Sequence, residues 1–380
     1  MSTVLRHTDQ RYSVRSVGSS WKPIDGERVV VYGAGGFARE AIRILRAANA
    51  DIACALDQRG SACPLIDGVR VYSPGEEPLT LAERAEAVAV VAVFNRDADP
   101  AEIEDTLEAL GYGRVVGVPE LYESFAADFG ERFWLATRSS YGAFADRIDE
   151  ASRLWADEAS RELYLDTVRY RLSWAAYAGP VPCSGHQYFP SDVPLTRGPM
   201  RLIDCGAFIG DTLASIAELG YPVDTVHAFE PDLANVASLA SFARRFSRES
   251  GAEVSVWPCA VADHFEHRNF QGAEGEASSL SASGGEIVTA VALDDVLPNT
   301  LATDLKLDIE GAELDALRGA RELISRSHPR LAVCVYHRPE HLWEIPLFVR
   351  DMGPWYDFYL RSHGHYGFDT VMYAVPHDSA

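Results

Sequence analysis

Two stretches of this chain run from an apolar segment into a glycine-rich turn and on into a helical pattern. They are "VVVYGAGGFARE", Val29 to Glu40, and "RLIDCGAFIGDT", Arg201 to Thr212. A strand that feeds a helix through so tight a turn needs a parallel neighbour strand and a sheet face on which the helix can lie. The chain is therefore constrained to α/β architecture, twice over. Its 380 residues are enough for two separate cores.

The alternation around each turn divides the chain into blocks. Residues 1–27 form a polar N-terminal segment with scattered Arg and Ser and no apolar h-region, so no secretory signal is expected. Residues 28–118 hold the apolar runs "RVVVYG", "DIACALD", "AVAVVAVFN" and "GRVVGVP", interleaved with helical patterns over Phe37–Ala50 and "PAEIEDTLEALG". This is a small Rossmann-like βαβ domain. Residues 119–186 read as a helical connector, with Leu154, Leu165, Val168 and Leu172 near one face, followed by the Pro- and Gly-rich loop "GPVPCSGHQYFPSDVPLTRGP". Residues 187–380 carry seven further strands, with helices expected between the first five. Only "RSHGHYGFD" separates the last two, too short for a crossover helix, so they are expected to form an antiparallel hairpin. The expected fold of this block is that of a class I methyltransferase, a Rossmann-like seven-stranded sheet with a terminal β-hairpin.

The formal net charge is −22, from 56 acids against 34 bases. Such a field repels polyanions, so no nucleic-acid partner is expected. No apolar run reaches the length of a membrane span. Cys54, Cys63, Cys183, Cys205, Cys259 and Cys334 are widely spaced and form no CxxC pair, which suits reduced thiols in a cytoplasmic protein better than a zinc site or a disulfide framework. The sequence leaves the oligomeric state open.

The second turn is flanked by Asp204 and Asp211 and contains no Lys or Arg. Beside a pyrophosphate each acid would cost about 3 kcal/mol at roughly 5 Å and an effective dielectric of about 20. S-adenosylmethionine carries an ammonium and a sulfonium, which acids attract, and a carboxylate, which the N–H groups of the turn are expected to face. Glu230 ends the next strand, where an acid can accept from two ribose hydroxyls. The first turn matches GxGxxA through Gly33, Gly35 and Ala38, with Arg39 after it and Asp57 ending the next strand. It suits either a nucleotide or nothing more than close helix-on-strand packing.

"LIDCGAFIGDT", "HAFEPD", "LDDVL", "LKLDIEGAELDALRGA" and "YHRPEHLWEIP", in this order over roughly Gln187 to Val375, resemble the FkbM family of methyltransferases. "GHQYFP" and the N-terminal "VVVYGAGGFARE" resemble its two-domain members. The resemblance implies methyl transfer from S-adenosylmethionine, usually to oxygen and often on sugars or secondary metabolites. It implies that Asp204, Gly206, Ala207, Gly210, Asp211, Glu230 and Pro231 hold the cofactor. "AVADH", with Ala262 and Asp263, and "ASSL", with Ser278 and Ser279, would lie near the adenine. Asp308 would end the central strand facing the crevice, on both the cofactor and the catalytic side. Asp294 is expected to cap the short helix "DVL".

Methyl transfer to a hydroxyl also needs a proton acceptor. Asp308, Glu310 and His337 are the expected catalytic residues, with His337 as the usual acceptor near neutral pH. His363 and His365 in the hairpin loop are further candidates. Two carboxylates and a His also suit a divalent ion that activates the hydroxyl. The acceptor is expected to be a small-molecule or carbohydrate-like hydroxyl compound. The alternatives are an NAD-type oxidoreductase built on the N-terminal turn and a non-catalytic nucleotide-binding protein.

Overall fold

The computed structural model describes residues 20–62, 64–174, 179–271, 279–281 and 286–377. Cys63, Ser278 and most of the N-terminal segment therefore lie outside the described residues. The chain divides into two compact units that do not follow the sequence blocks. The first comprises Met1–Ser152, Glu162–Cys183 and Ser362–Phe368; the second comprises Arg153–Arg161, Ser184–Arg361 and Asp369–Ala380.

In the first unit the strands are β1 (Arg28–Tyr32), β2 (Asp51–Leu56), β3 (Leu65–Ile66), β4 (Val69–Tyr72), β5 (Val88–Val91) and β6 (Arg114–Val116), in the order β3-β4-β2-β1-β5-β6. All pairings are parallel except the short β3–β4 hairpin, which the apolar runs did not announce. The Val-rich β1, from Val29 on, and β5 are buried, as parallel strands covered on both faces must be. The first glycine-rich turn leads into the helix Gly36–Ala47, which buries Ala38, Ala41, Ile42 and Leu45 at helical spacing. Further along, the helix Glu158–Ser173 buries Tyr164, Thr167, Val168 and Arg171, while Leu165 and Leu172 stay half-buried. The buried face is thus rotated from the leucine stripe. A Tyr and an Arg can bury here because the Tyr164 hydroxyl donates to the Ile148 carbonyl and the Arg171 guanidinium lies 4.9 Å over the Trp134 ring.

The second unit is built on a seven-stranded sheet. Two strands of its parallel core are β7 (Met200–Cys205) and β8 (Val223–Phe229), and β9 (Glu253–Trp257) pairs in parallel with β8. The expected helix between the third and fourth strands is largely replaced by a small sheet of β10 (Ala260–Val261), β11 (Glu266–Gln271), β12 (Ser279–Ser281) and β13 (Glu286–Val291). Ala260, Ala262, Val288 and Ala290 form its core. The β-branched run "EIVTAV" favours a strand there. Only the four-residue helix Leu293–Val296 remains. The main sheet resumes with β14 (Asp304–Leu307), β15 (Arg330–Cys334), β16 (Tyr356–Ser362) and β17 (Thr370–Pro376), giving the order β16-β17-β15-β14-β7-β8-β9. β14 is parallel to β7 and β15, whereas β17 runs antiparallel to β15.

Asp294 does cap a helix, but not the short one. Its carboxylate accepts from the backbone N–H groups of Glu322 and Leu323, at 2.9 and 2.7 Å, and so satisfies the helix Arg321–Ser327.

Candidate active site

The carboxyl ends of β7, β8, β14 and β15 bring the site residues together. Gly206 follows β7 with φ +80°, and a Cβ there would lie 1.8 Å from the Asp308 carbonyl oxygen at the end of β14. Only glycine allows the two strand ends so close. Gly210, at φ +100°, precedes the helix Asp211–Leu219 and packs on the Phe242 ring. Asp211 opens that helix and is exposed. Ala207 is fully buried.

The turn spends its own N–H groups. Gly206 and Ala207 both donate to the Phe229 carbonyl at 3.0 Å, Phe208 donates to Glu230 Oε2 at 2.9 Å, and Gly210 donates to the Ala207 carbonyl at 2.8 Å. These groups are therefore not what faces a cofactor carboxylate. The hydroxyl of Thr212, in the first turn of the following helix, is buried and has no hydrogen-bond partner among the described residues.

Glu230 is a buried carboxylate that ties two segments together. Besides Phe208 it accepts from the Asp232 N–H at 2.9 Å. Burial pushes its pKa up, against the pull of these donors. Asp232, just past Pro231, is the residue that caps the helix Leu233–Ser250, through Ala234 and Asn235. That leaves Glu230 out of the cap; its Oε1 also accepts from the Asn235 side-chain amide at 3.5 Å, and its Oε2 keeps an unused acceptor position.

Asp204 is fully buried, and the Lys306 ammonium, one position from the end of β14, lies 3.1 Å from its Oδ1. Lys306 also donates to the Gly206 carbonyl at 2.6 Å and stands 5.0 Å from the Tyr188 ring centre. Burial disfavours its cation, yet Asp204, Asp308 and Asp211 together outweigh that, so its pKa is raised. The charge of Asp204 is thus met from a neighbouring strand. The turn has no Lys or Arg of its own because the cation arrives in "LKLD".

Beyond Asp308 lies a network that local sequence does not reveal. Glu310 sits at φ +53° and Gly311 at φ +100°, a tight reversal that leads into the helix Glu313–Arg318. Glu313 is fully buried, and its Oε1 accepts from the Ile309 and Gly311 N–H groups at 3.0 and 3.3 Å. The same oxygen lies 2.7 Å from His337 Nδ1, while Oε2 lies 3.1 Å from His341 Nδ1. On the other side of the ring, His337 Nε2 is 3.4 Å from Asp308 Oδ1 and 3.5 Å from Glu310 Oε2. Tyr188 of the "GHQYFP" loop donates to Asp308 Oδ2 at 2.5 Å.

These neighbours set the charges. Burial opposes the His337 cation, but Glu313, Glu310 and Asp308 overcome it and push the imidazole up to about 10. Burial would likewise raise Glu313, but His337 and then His341 hold it well below the usual carboxylate range. Glu310 lacks enough compensation. Burial, with Asp308, Glu313 and Asp369 nearby, pushes it up to about 8 against the pull of His337. The donor atoms of Asp308, Glu313 and His337 also lie within 4.8 Å of one another, a spacing able to hold a cation.

Asp308, Glu310 and His337 are thus brought together, and Tyr188, Lys306, Glu313 and His341 join them. The spacing of His337 and His341, i and i+4, is the one sequence signal that could have flagged the second imidazole. Ala262 lies in the core of the small sheet, and Asp263 is exposed and hydrogen-bonded to His264 at 2.6 Å. Ser278 lies outside the described residues. His363 and His365 take partners in the first unit: Cys183 Sγ lies 3.4 Å from His363 Nδ1, and Asp99 lies 3.9 Å from His365. In the same unit Asp57 spends its carboxylate on Arg59, at 2.8 and 3.0 Å, and on the Arg59 N–H at 2.9 Å.

A sheet in the order β9-β8-β7-β14-β15-β17-β16, with β17 antiparallel, a glycine-rich turn after β7 and an acid ending β8, is a class I methyltransferase fold. Within that class, residues 204–365 match the methyltransferase FkbM domain, and all of that match up to Arg361 lies in the second unit. The chain is similar in fold to the crystal structure of a methyltransferase FkbM from Methylobacillus flagellatus KT. That similarity covers 92% of this chain and 90% of the other, with 21% identity and a TM-score of 0.75. A looser likeness, 14% identical with a TM-score of 0.30, covers 50% of this chain and 71% of an Aeropyrum pernix fibrillarin in complex with S-adenosyl-L-methionine. No curated protein matches the chain.

Proposed function

We propose that the protein transfers the methyl group of S-adenosylmethionine to a hydroxyl oxygen of a small, carbohydrate-like acceptor. The crevice at the ends of β7, β8, β14 and β15 would be the place of transfer. The cofactor half uses Glu230 for the ribose hydroxyls, with Gly206, Ala207, Gly210, Asp211 and Pro231 shaping the bed and Ala262 and Asp263 on the adenine side. The Thr212 hydroxyl and the N-terminal end of its helix suit the cofactor carboxylate. Lys306, paired with Asp204, fixes the turn through the Gly206 carbonyl.

The observation that carries the acceptor half is the Glu310 carboxyl, pushed up to about 8 beside an imidazolium. An imidazole that is already protonated cannot take a proton, so His337 passes from proton acceptor to positioning cation. Glu310 is mostly protonated at about pH 7 and becomes the acceptor for the hydroxyl proton as pH rises through about 8, well before His337 loses its own proton. Asp308, fixed by Tyr188 and His337, orients the acceptor. A metal-assisted transfer is the second reading, favoured by the clustering of Asp308, Glu313 and His337 donor atoms.

Calorimetry on the full chain tests the reading. S-adenosylmethionine should bind, and Glu230→Gln should weaken it by about 1.5–3 kcal/mol, the range for charge-assisted hydrogen bonds. Tight binding of NAD(H) with none of S-adenosylmethionine would replace this function with an oxidoreductase. Chelation by EDTA separates the two acceptor-side readings: lost transfer restored by Mg²⁺ or Mn²⁺ selects the metal, and unchanged transfer selects Glu310.

A further inference from the structure

The amino ends of the same sheet enclose a second cavity, of about 510 Å³, at the opposite end from the methyl-transfer crevice. Arg201 at the start of β7, His328 just before β15, Trp355 just before β16 and His377 after β17 line it, together with Arg197. In a chain of net charge −22, no lining residue is an acid. Of the nearby carboxylates, Asp304 accepts from Thr196 and Thr303 at 2.8 Å through Oδ2 and its Oδ1 lies 3.9 Å from Arg330, and Asp357 lies 3.5 Å from His377.

The cations are held ready. Arg201 Nε donates to the Leu301 carbonyl at 2.5 Å, which fixes the guanidinium, and among the described residues no acceptor takes its terminal nitrogens or those of Arg197. His328 has φ +40°, stacks on Trp355 at 4.3 Å between ring centres, and its buried Nε2 has no hydrogen-bond partner among the described residues.

We propose that this cavity is a binding site for a small phosphate monoester, separate from the methyl-transfer crevice. Two guanidinium groups and an imidazole spread around one space suit a tetrahedral dianion, which takes more donors than a carboxylate does. The stacked His328–Trp355 pair forms a flat wall for the ring of a sugar. The cavity volume falls in the range of small-molecule sites.

Calorimetry with inorganic phosphate and with glucose 1-phosphate, on the full chain in about 0.15 M salt, tests this. The wild type should bind both saturably, the sugar phosphate more tightly. Arg197→Ala, an exposed position, and His328→Asn, which tolerates the left-handed backbone, should each weaken binding about tenfold, or about 1.4 kcal/mol. S-adenosylmethionine affinity should stay within about twofold in both variants and should be unaffected by saturating phosphate. Absence of saturable binding to the wild type, unchanged binding in both variants, competition with S-adenosylmethionine, or equal binding of glucuronate would each overturn the proposal.

Discussion

At the scale of single residues, the ring of His337 links the charges of the site. Glu313→Gln removes its main counter-charge, and the imidazole, at about 10 in the wild type, should fall because burial is then opposed by Glu310 and Asp308 alone. An NMR titration of the ring reads this directly. The stability consequence has two edges. The raised His337 contributes stability that is full below about pH 6.5 and is lost as pH rises through about 10. The depressed Glu313 contributes stability that is present above about pH 4.5 and is lost as pH falls through its folded value. The gap between wild type and Glu313→Gln should thus form a plateau of about 3–5 kcal/mol near neutral pH and shrink on both sides. Urea unfolding across pH checks it. Glu310 behaves in the opposite sense. A carboxyl raised to about 8 costs stability as pH climbs from its ordinary value through 8. Glu310→Gln should therefore be more stable than wild type at pH 9, with little difference at pH 4, while its single-turnover methyl transfer falls about 10²–10⁴-fold. Equal transfer rates would remove Glu310 from the chemistry.

At the scale of elements, the tightest constraint is the close approach of β7 to β14. Gly206→Ala places a methyl 1.8 Å from a backbone oxygen at φ +80° and should cost about 3 kcal/mol in urea unfolding. Gly220→Ala, at φ +69° with nothing within 4 Å, should cost about 1 kcal/mol, the conformational part alone. Similar losses at both positions would show that the approach is not tight. The strands of the main sheet and the turn after β7 were legible because apolar runs and glycine spacing are local. The partners within the site were not. Tyr188 meets Asp308 across 120 residues and Lys306 meets Gly206 across 100, distances that no periodicity spans. His337 was legible as a candidate, but the Glu313 carboxylate that sets its protonation reaches it from another element and was not. The small sheet of β10 to β13 was missed because its runs are short and one of its strands has only three residues.

At the scale of the whole molecule, the second unit includes Arg153–Arg161. Asp157 and Ser160 in that segment bond the Arg361 guanidinium at 2.7 and 2.8 Å, and the Ser160 hydroxyl also accepts from the Leu360 N–H at 2.9 Å. A chain begun near Pro180 keeps every proposed cofactor residue but leaves Arg361 with Asp192 as its remaining acidic partner. It should bind S-adenosylmethionine if it folds, at a stability about 2–4 kcal/mol below that of the same unit in the full chain. Denaturant unfolding followed at a tryptophan of the second unit checks this, and an undiminished midpoint would show that the segment contributes nothing.

The division of the chain also bears on inheritance. The backbone passes between the units at 152/153, 161/162, 183/184, 361/362 and 368/369, five times. No single recombination joint can therefore exchange one unit whole: wherever it falls, it splits at least one of the two. Hybrids between distant relatives would mix mismatched halves of a core rather than swap a module, so the two units are bound to diverge together.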